Sequence, residues 1–266
     1  MKIQRAKLMT WLVLWFAANI AAFILGFLLI PRLSGPVASY LLPRVTFTEA
    51  NLEEVIAWFA GYLLTGLAMG LLVGMLQWAA MRRLFAISAR WITLTIAGFL
   101  FSYSAILVYH SLLITLLDKY SASLTGSQPL KLDWLYANAV LLTYPDLQTT
   151  LLSTILVGIV LSLLLFIWLV LAQWLAMREC FFKASRWIFP ALLGLTLGFT
   201  INSMFVSYMV DTYGDAIRQA ALLPVITGAI SGVCFSLTTA FFFLQAAREG
   251  SLRLSDSAML EQRLRY

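Results

Sequence analysis

Charge is what this 266-residue chain has least of: Asp, Glu, Lys and Arg make up 11% of it, against 62% hydrophobic residues. A soluble domain carries about 25% charged residues and roughly half apolar ones, so an ordinary water-exposed fold is excluded. The chain has one histidine, His110, and two cysteines, Cys180 and Cys234. That set is too small and too scattered for a zinc site. The apolar runs hold no Asp or Glu, so they lack the carboxylates that a proton relay or ion coupling normally needs. No catalytic, cofactor or metal site is expected, and the chain reads as non-enzymatic.

Long apolar runs are present instead, and mean hydropathy is +0.90. About 20 residues at 1.5 Å rise cross the hydrocarbon layer of a membrane. Six runs meet that length: 8–30, 55–80, 91–117, 147–177, 187–210 and 220–245. The expected fold class is all-α: one transmembrane domain over 1–266, a polytopic bundle of six helices. The first run is too long for a cleavable signal and reads as an uncleaved anchor.

The charges outside the runs give an orientation. Segments 1–7, 81–90, 178–186 and 246–266 hold 13 of the 18 Lys and Arg residues, and eight of the 12 acids lie in the alternate segments. The positive-inside rule then places both termini and the segments 81–90 and 178–186 in the cytoplasm. On this reading the net charge of +6 records topology, and no nucleic-acid partner is implied. Cys180 and Cys234 fall in a cytoplasmic turn and a span, so free thiols are expected. In the loop over 118–146, residues Trp134–Tyr144 are apolar and aromatic but too short to cross, and are expected to lie along the outer surface.

Residues Gln77–Ile92 (QWAAMRRLFAISARWI) return as Gln173–Ile188 (QWLAMRECFFKASRWI), ungapped and with nine of sixteen positions identical. This is an internal duplication. Each copy, over 66–117 and 162–210, is a helix, a tight basic turn and a returning helix. The copies share orientation, which predicts a twofold relation along the membrane normal, with spans one and six flanking a four-helix centre. A fainter echo pairs Thr65-Gly66 and Gly70 with Thr227-Gly228 and Gly232.

The repeated residues suggest roles. Trp78, Trp91, Trp174 and Trp187 fit an interfacial aromatic belt, with Arg82, Arg90, Arg178 and Arg186 reaching phosphate; capture of an anionic headgroup or an acidic partner segment is the functional alternative. Gln77 and Gln173 are buried amides that need partners, either across the seam between copies or on their own turns. Gly66, Gly70, Gly74, Gly194, Gly198, Gly228 and Gly232 recur at four-residue spacing, a pattern that brings helices close within one chain or between copies in a homo-oligomer. Thr196, Thr200, Asn202, Ser203 and Ser207 in span five, with Thr227, Ser231, Cys234 and Thr238 in span six, form stripes able to line a polar crevice. His110 is the one ionisable group within the spans; lacking titrating neighbours, it reads as a neutral imidazole rather than a proton relay.

Gly228-Ala-Ile-Ser231-Gly232 outlines the Gly-x-Ser-Gly of rhomboid intramembrane proteases with one residue too many. No histidine follows Ser231 to activate it, which excludes that reading. Segments 70–91 and 170–187 resemble a group of uncharacterised bacterial multi-pass membrane proteins, from cyanobacteria and Chloroflexota, with a repeated G-x-x-x-G-x-x-Q-W-x-x-L-R…W pattern. Gly70, Gly74, Gln77, Trp78 and Arg82 fit, with Met81 at the usual leucine; copy two has Phe166 and Val170 in place of the glycines. The resemblance implies a bacterial membrane location and brings no activity. The sequence thus points to a packing or assembly partner for membrane lipids or another membrane protein, and secondly to a passive facilitator for a small neutral solute.

Overall fold

The structure, a computed structural model, describes residues 5–41, 52–105, 151–213 and 222–249. The sequence-predicted surface segment Trp134–Tyr144, His110 and the Ser203 and Ser207 side chains lie outside the described residues. All elements described are helical: α1 (Arg5–Leu41), α2 (Leu52–Met81), α3 (90–105), α4 (Leu151–Met177), α5 (Ile188–Tyr213) and α6 (Leu222–Glu249). Leucine-, alanine- and isoleucine-rich runs with apolar residues on every face favour helices that need lipid or protein on all sides. Among the described residues, four stretches are long and apolar enough to cross a membrane: Lys7–Leu29, Leu63–Met81, Ala184–Val206 and Leu222–Glu249. The chain is accordingly an all-helical protein whose apolar helices suit multi-pass embedding in a membrane.

Two boundaries differ from expectation. α1 continues past Ile30, through Pro31 and Pro36, to Leu41, so part of the expected outer loop is helix. Proline forfeits its own backbone hydrogen bond and bends a helix without always ending it. In the second copy the return begins with a 3-10 turn, Ala184–Trp187, and α5 starts at Ile188. Pro190 falls in the first turn of α5, where backbone N–H groups have no partner within the helix and a missing one costs little.

Packing follows the glycines, and they arrange the helices in a closed cyclic order. A Cβ on Gly70 would lie 2.5 Å from the Ile96 Cα, and Gly66 and Gly74 likewise seat α2 on the α3 backbone. Gly98 brings α3 to α4, 2.7 Å from the Leu169 Cα by the same measure. α4 packs on α5, where Phe166 meets Phe199. Gly194 and Gly198 join α5 to α6 at Phe235 and Ser231. Gly228 and Gly232 join α6 to α1, where an added Cβ would lie 2.6 Å from the Cα of Ile24 and of Ile20 respectively; Gly26 then brings α1 to Met69 of α2. All seven sequence-predicted glycines are thus seated within the chain.

This order corrects one expectation. α6 and α1 do not flank a four-helix centre; they pair antiparallel and close the ring as a third hairpin-like sector. The resemblance extends to detail, since the Thr65 hydroxyl donates to Gly61 O and the Thr227 hydroxyl to Leu223 O, both one turn back. Aromatic side chains fill the interior: Trp11, Trp15, Phe85, Phe181, Trp187, Phe235, Phe242 and Phe243 form one buried cluster.

Candidate functional site: the buried seam between the repeated turns

The two turns are built alike. α2 closes with Arg82 N–H on Trp78 O, then Leu84 and Phe85 N–H on Met81 O; α4 closes with Arg178 on Trp174, then Cys180 and Phe181 on Met177. A backbone that folds back over its last turn in this way sends the next side chain inward. Phe85 and Phe181 consequently turn into the core, where their rings lie 5.3 Å apart.

Below them the repeated glutamines touch. Gln173 Nε2 donates to Gln77 Oε1 at 3.1 Å, joining α4 to α2. Gln77 Nε2 donates to Asn19 Oδ1 at 2.7 Å, and Asn19 Nδ2 donates to Trp15 O at 2.8 Å. The three amides are buried, and each passes a hydrogen bond to the next, binding three helices through groups that lipid could not satisfy. The Trp15 indole donates to Thr239 Oγ1 of α6 at 2.9 Å, and the Trp11 indole to Ala80 O of α2 at 2.8 Å. Sequence reasoning missed Asn19, Trp11, Trp15 and Thr239. A signal existed: Asn19 is the sole amide in the first apolar run, and an intramembrane amide needs a partner.

The repeated tryptophans divide into two kinds. Trp78 and Trp174 are part-exposed near the turns. Trp91 and Trp187 depart from the expected belt: both are wholly buried, with ring centroids 6.1 Å apart. They belong to the packed seam because they open the returning helices on the side facing the ring interior.

The repeated arginines divide as well. Arg90 pairs with Glu179 of the other turn at 3.3 Å, and Ser88 donates to the same carboxylate. Arg186 and Lys183 share Glu249 at the end of α6. These cations find acids within the protein, which replaces their expected reach to phosphate. Arg82 and Arg178 are exposed, and their guanidinium carbons sit 4.5 Å and 5.5 Å from the Trp78 and Trp174 ring centroids. A stacked guanidinium keeps its N–H edge open for a carboxylate or phosphate.

The stripes on α5 and α6 are used in packing. Asn202 Nδ2 donates to Thr227 O at 2.9 Å and to Ser231 Oγ at 2.6 Å, and Gly194 and Gly198 bring the two helices into backbone contact beside them. The Asn202 Oδ1 and the Thr196 and Thr200 hydroxyls are buried without a hydrogen-bond partner among the described residues. Neither Cys180 nor Cys234 forms a disulfide among the described residues, and Cys180 Sγ donates to Ala86 O at 3.2 Å. Among the described residues no three His, Cys, Asp or Glu side chains gather as a metal-binding group. The chemistry this site offers is hydrogen bonding by uncharged groups inside and by two stacked cations outside.

No protein-family model, curated protein or solved structure matches the chain.

Proposed function

We propose that this is a six-span protein of the bacterial inner membrane, with both termini and both repeated turns in the cytoplasm. It works without catalysis, as an assembly or interaction partner for anionic lipid or another membrane component. Its architecture, on this reading, is three hairpins around one axis: the duplicated pairs α2–α3 and α4–α5, and a third made from the terminal helices α6 and α1. One observation carries the functional reading. Arg82 and Arg178, equivalent in the two copies, are stacked on tryptophan and have no ion pair among the described residues, whereas Arg90 and Arg186 are paired internally. Stacked, exposed guanidinium groups suit the phosphate of an anionic headgroup or the carboxylates of a partner's membrane-proximal segment.

Purification from native membranes in mild detergent tests this. A stoichiometric protein partner or tightly held anionic lipid is expected, and its loss in Arg82→Ala plus Arg178→Ala with the fold intact. Recovery of the wild type with neither, or an unchanged partner in the double variant, would remove the proposal. Reporter fusions at Ser88 and Ala184 should both report the cytoplasm. A second reading, a passive facilitator for a small neutral solute, draws support from the unpartnered Asn202 Oδ1, Thr196 and Thr200 groups on α5. Solute flux in proteoliposomes would favour it over the first.

A further inference from the structure

Trp15, Trp91 and Trp187 meet inside the ring: the Trp187 centroid lies 6.4 Å from that of Trp15 and 6.1 Å from that of Trp91. The glycine contacts show that the three occupy matching places. Gly70 rests on Ile96 in α2–α3 as Gly232 rests on Ile20 in α6–α1. Superposing these registers aligns Trp91 with Trp15, each five residues before its isoleucine, and Gln77 with Thr239, each seven residues after its glycine. The duplication carries the alignment to Trp187 and Gln173.

In the terminal pair the arrangement is complete, because the Trp15 indole donates directly to Thr239 Oγ1. In the duplicated pairs a glutamine stands where the threonine does, and the indole N–H of neither Trp91 nor Trp187 has an acceptor among the described residues. Gln173 Oε1 also lacks a donor among the described residues. All three residues have 0% exposure, so lipid does not reach them. Buried indole N–H and amide oxygen nearly always find partners. A donor without an acceptor and an acceptor without a donor, at matched positions of one hairpin, fit a small molecule that both accepts and donates. The neighbouring groups are indole, amide and hydroxyl, so the molecule is uncharged; Trp187 is packed against Phe235 and Phe243 at 6.0 Å and 5.6 Å, so it is small.

We propose that each duplicated hairpin holds one water molecule between its tryptophan and its glutamine. One accepts from Trp187 Nε1–H and donates to Gln173 Oε1. The other accepts from Trp91 Nε1–H and donates to Gln77 Oε1, which has a second lone pair beyond the one that Gln173 engages. Thr95, one turn on from Trp91 and buried with its hydroxyl unpartnered among the described residues, gives that water a third contact. A buried water makes two to four such bonds, typically about three. The α6–α1 pair is dry at this place because its indole and hydroxyl bond directly.

The full chain, labelled with 15N-tryptophan in lipid nanodiscs, tests this by nuclear Overhauser transfer from water to each indole N–H. Single Trp→Phe variants at 15, 91 and 187 assign the signals. Transfer is expected at Trp91 and Trp187 and not at Trp15. In Gln173→Met, transfer at Trp187 should vanish while that at Trp91 remains. No transfer at either duplicated indole, equal transfer at Trp15, or an undiminished Trp187 signal in Gln173→Met overturns the proposal. The comparison of Trp187 with Trp15 in the wild-type glutamine background decides it even if Gln173→Met does not fold.

Discussion

In the first hairpin α2 meets α3 backbone to backbone through Gly66, Gly70 and Gly74; in the second, the matching positions of α4 are Ser162, Phe166 and Val170, and Phe166 meets Phe199 of α5 ring to ring at 6.0 Å. One copy is held by the absence of side chains and the other by their presence. What both keep is the turn, the inward Phe, and the Gln and Trp of the seam. The contact within a hairpin can be made by either device because lipid tails are as apolar as leucine, leaving close packing of any kind to drive association. The buried amides and indoles have no such latitude, since each needs a partner of complementary polarity. The charges differ in a related way. Arg90 of the first turn pairs with Glu179 of the second, and Arg186 of the second with Glu249 on α6, so each turn is tied to the next sector of the ring.

Seven substitutions bear on this comparison, the largest effect first. Gly70→Leu drives a side chain into the α3 backbone and should cost about 3 kcal/mol or more, with loss of folded protein, while Phe166→Leu at the matching place should cost about 1 kcal/mol. Thermal unfolding in detergent reads both; equal losses would mean that the two hairpins are held alike after all. Gln77→Leu strands Asn19 Oδ1 and Gln173 Nε2 together and should cost about 2 kcal/mol. Gln173→Leu strands only Gln77 Oε1 among protein groups, and less than about 1 kcal/mol is expected. Equal losses in the same melts would show that Gln77 is not the central link of the three amides.

Trp15→Phe removes an indole bonded to Thr239, and Trp187→Phe removes one with no acceptor among the described residues, so the first should exceed the second by about 1 kcal/mol. Glu179→Arg gives the second turn the residue found at Arg83 in the first. It breaks an exposed ion pair and should change stability by about 0.5 kcal/mol or less, an effect that fades as salt is raised. A large, salt-independent loss would show that the link between turns is buried in solution.

Much of this was legible in the residues. Nine identities in sixteen marked the turns, and the four-residue spacing of Gly70 and Gly74 or Gly228 and Gly232 marked close-packed faces, because spacing maps directly onto a helix surface. The partner of each face was not legible. Gly228 and Gly232 could have met any helix, and their contact with Ile24 and Ile20 joins residues near opposite ends of the chain. Trp91 and Trp187 were misread as a belt because a tryptophan at a helix end suits the interface and the core equally by composition. Asn19 went unnoticed because it has no counterpart in the repeat.

The sequence by itself determined that the chain is helical and apolar enough for a membrane, since these follow from composition and from the length of its apolar runs, and that residues 77–92 and 173–188 share nine of sixteen positions. Only the tertiary structure decided that α6 and α1 complete a ring, that Gln77 and Gln173 bond to each other and onward to Asn19, and which arginines lack an ion pair among the described residues. Those outcomes depend on how helices far apart in sequence are set side by side, and a hydrogen bond or backbone contact between them forms or fails over less than an ångström.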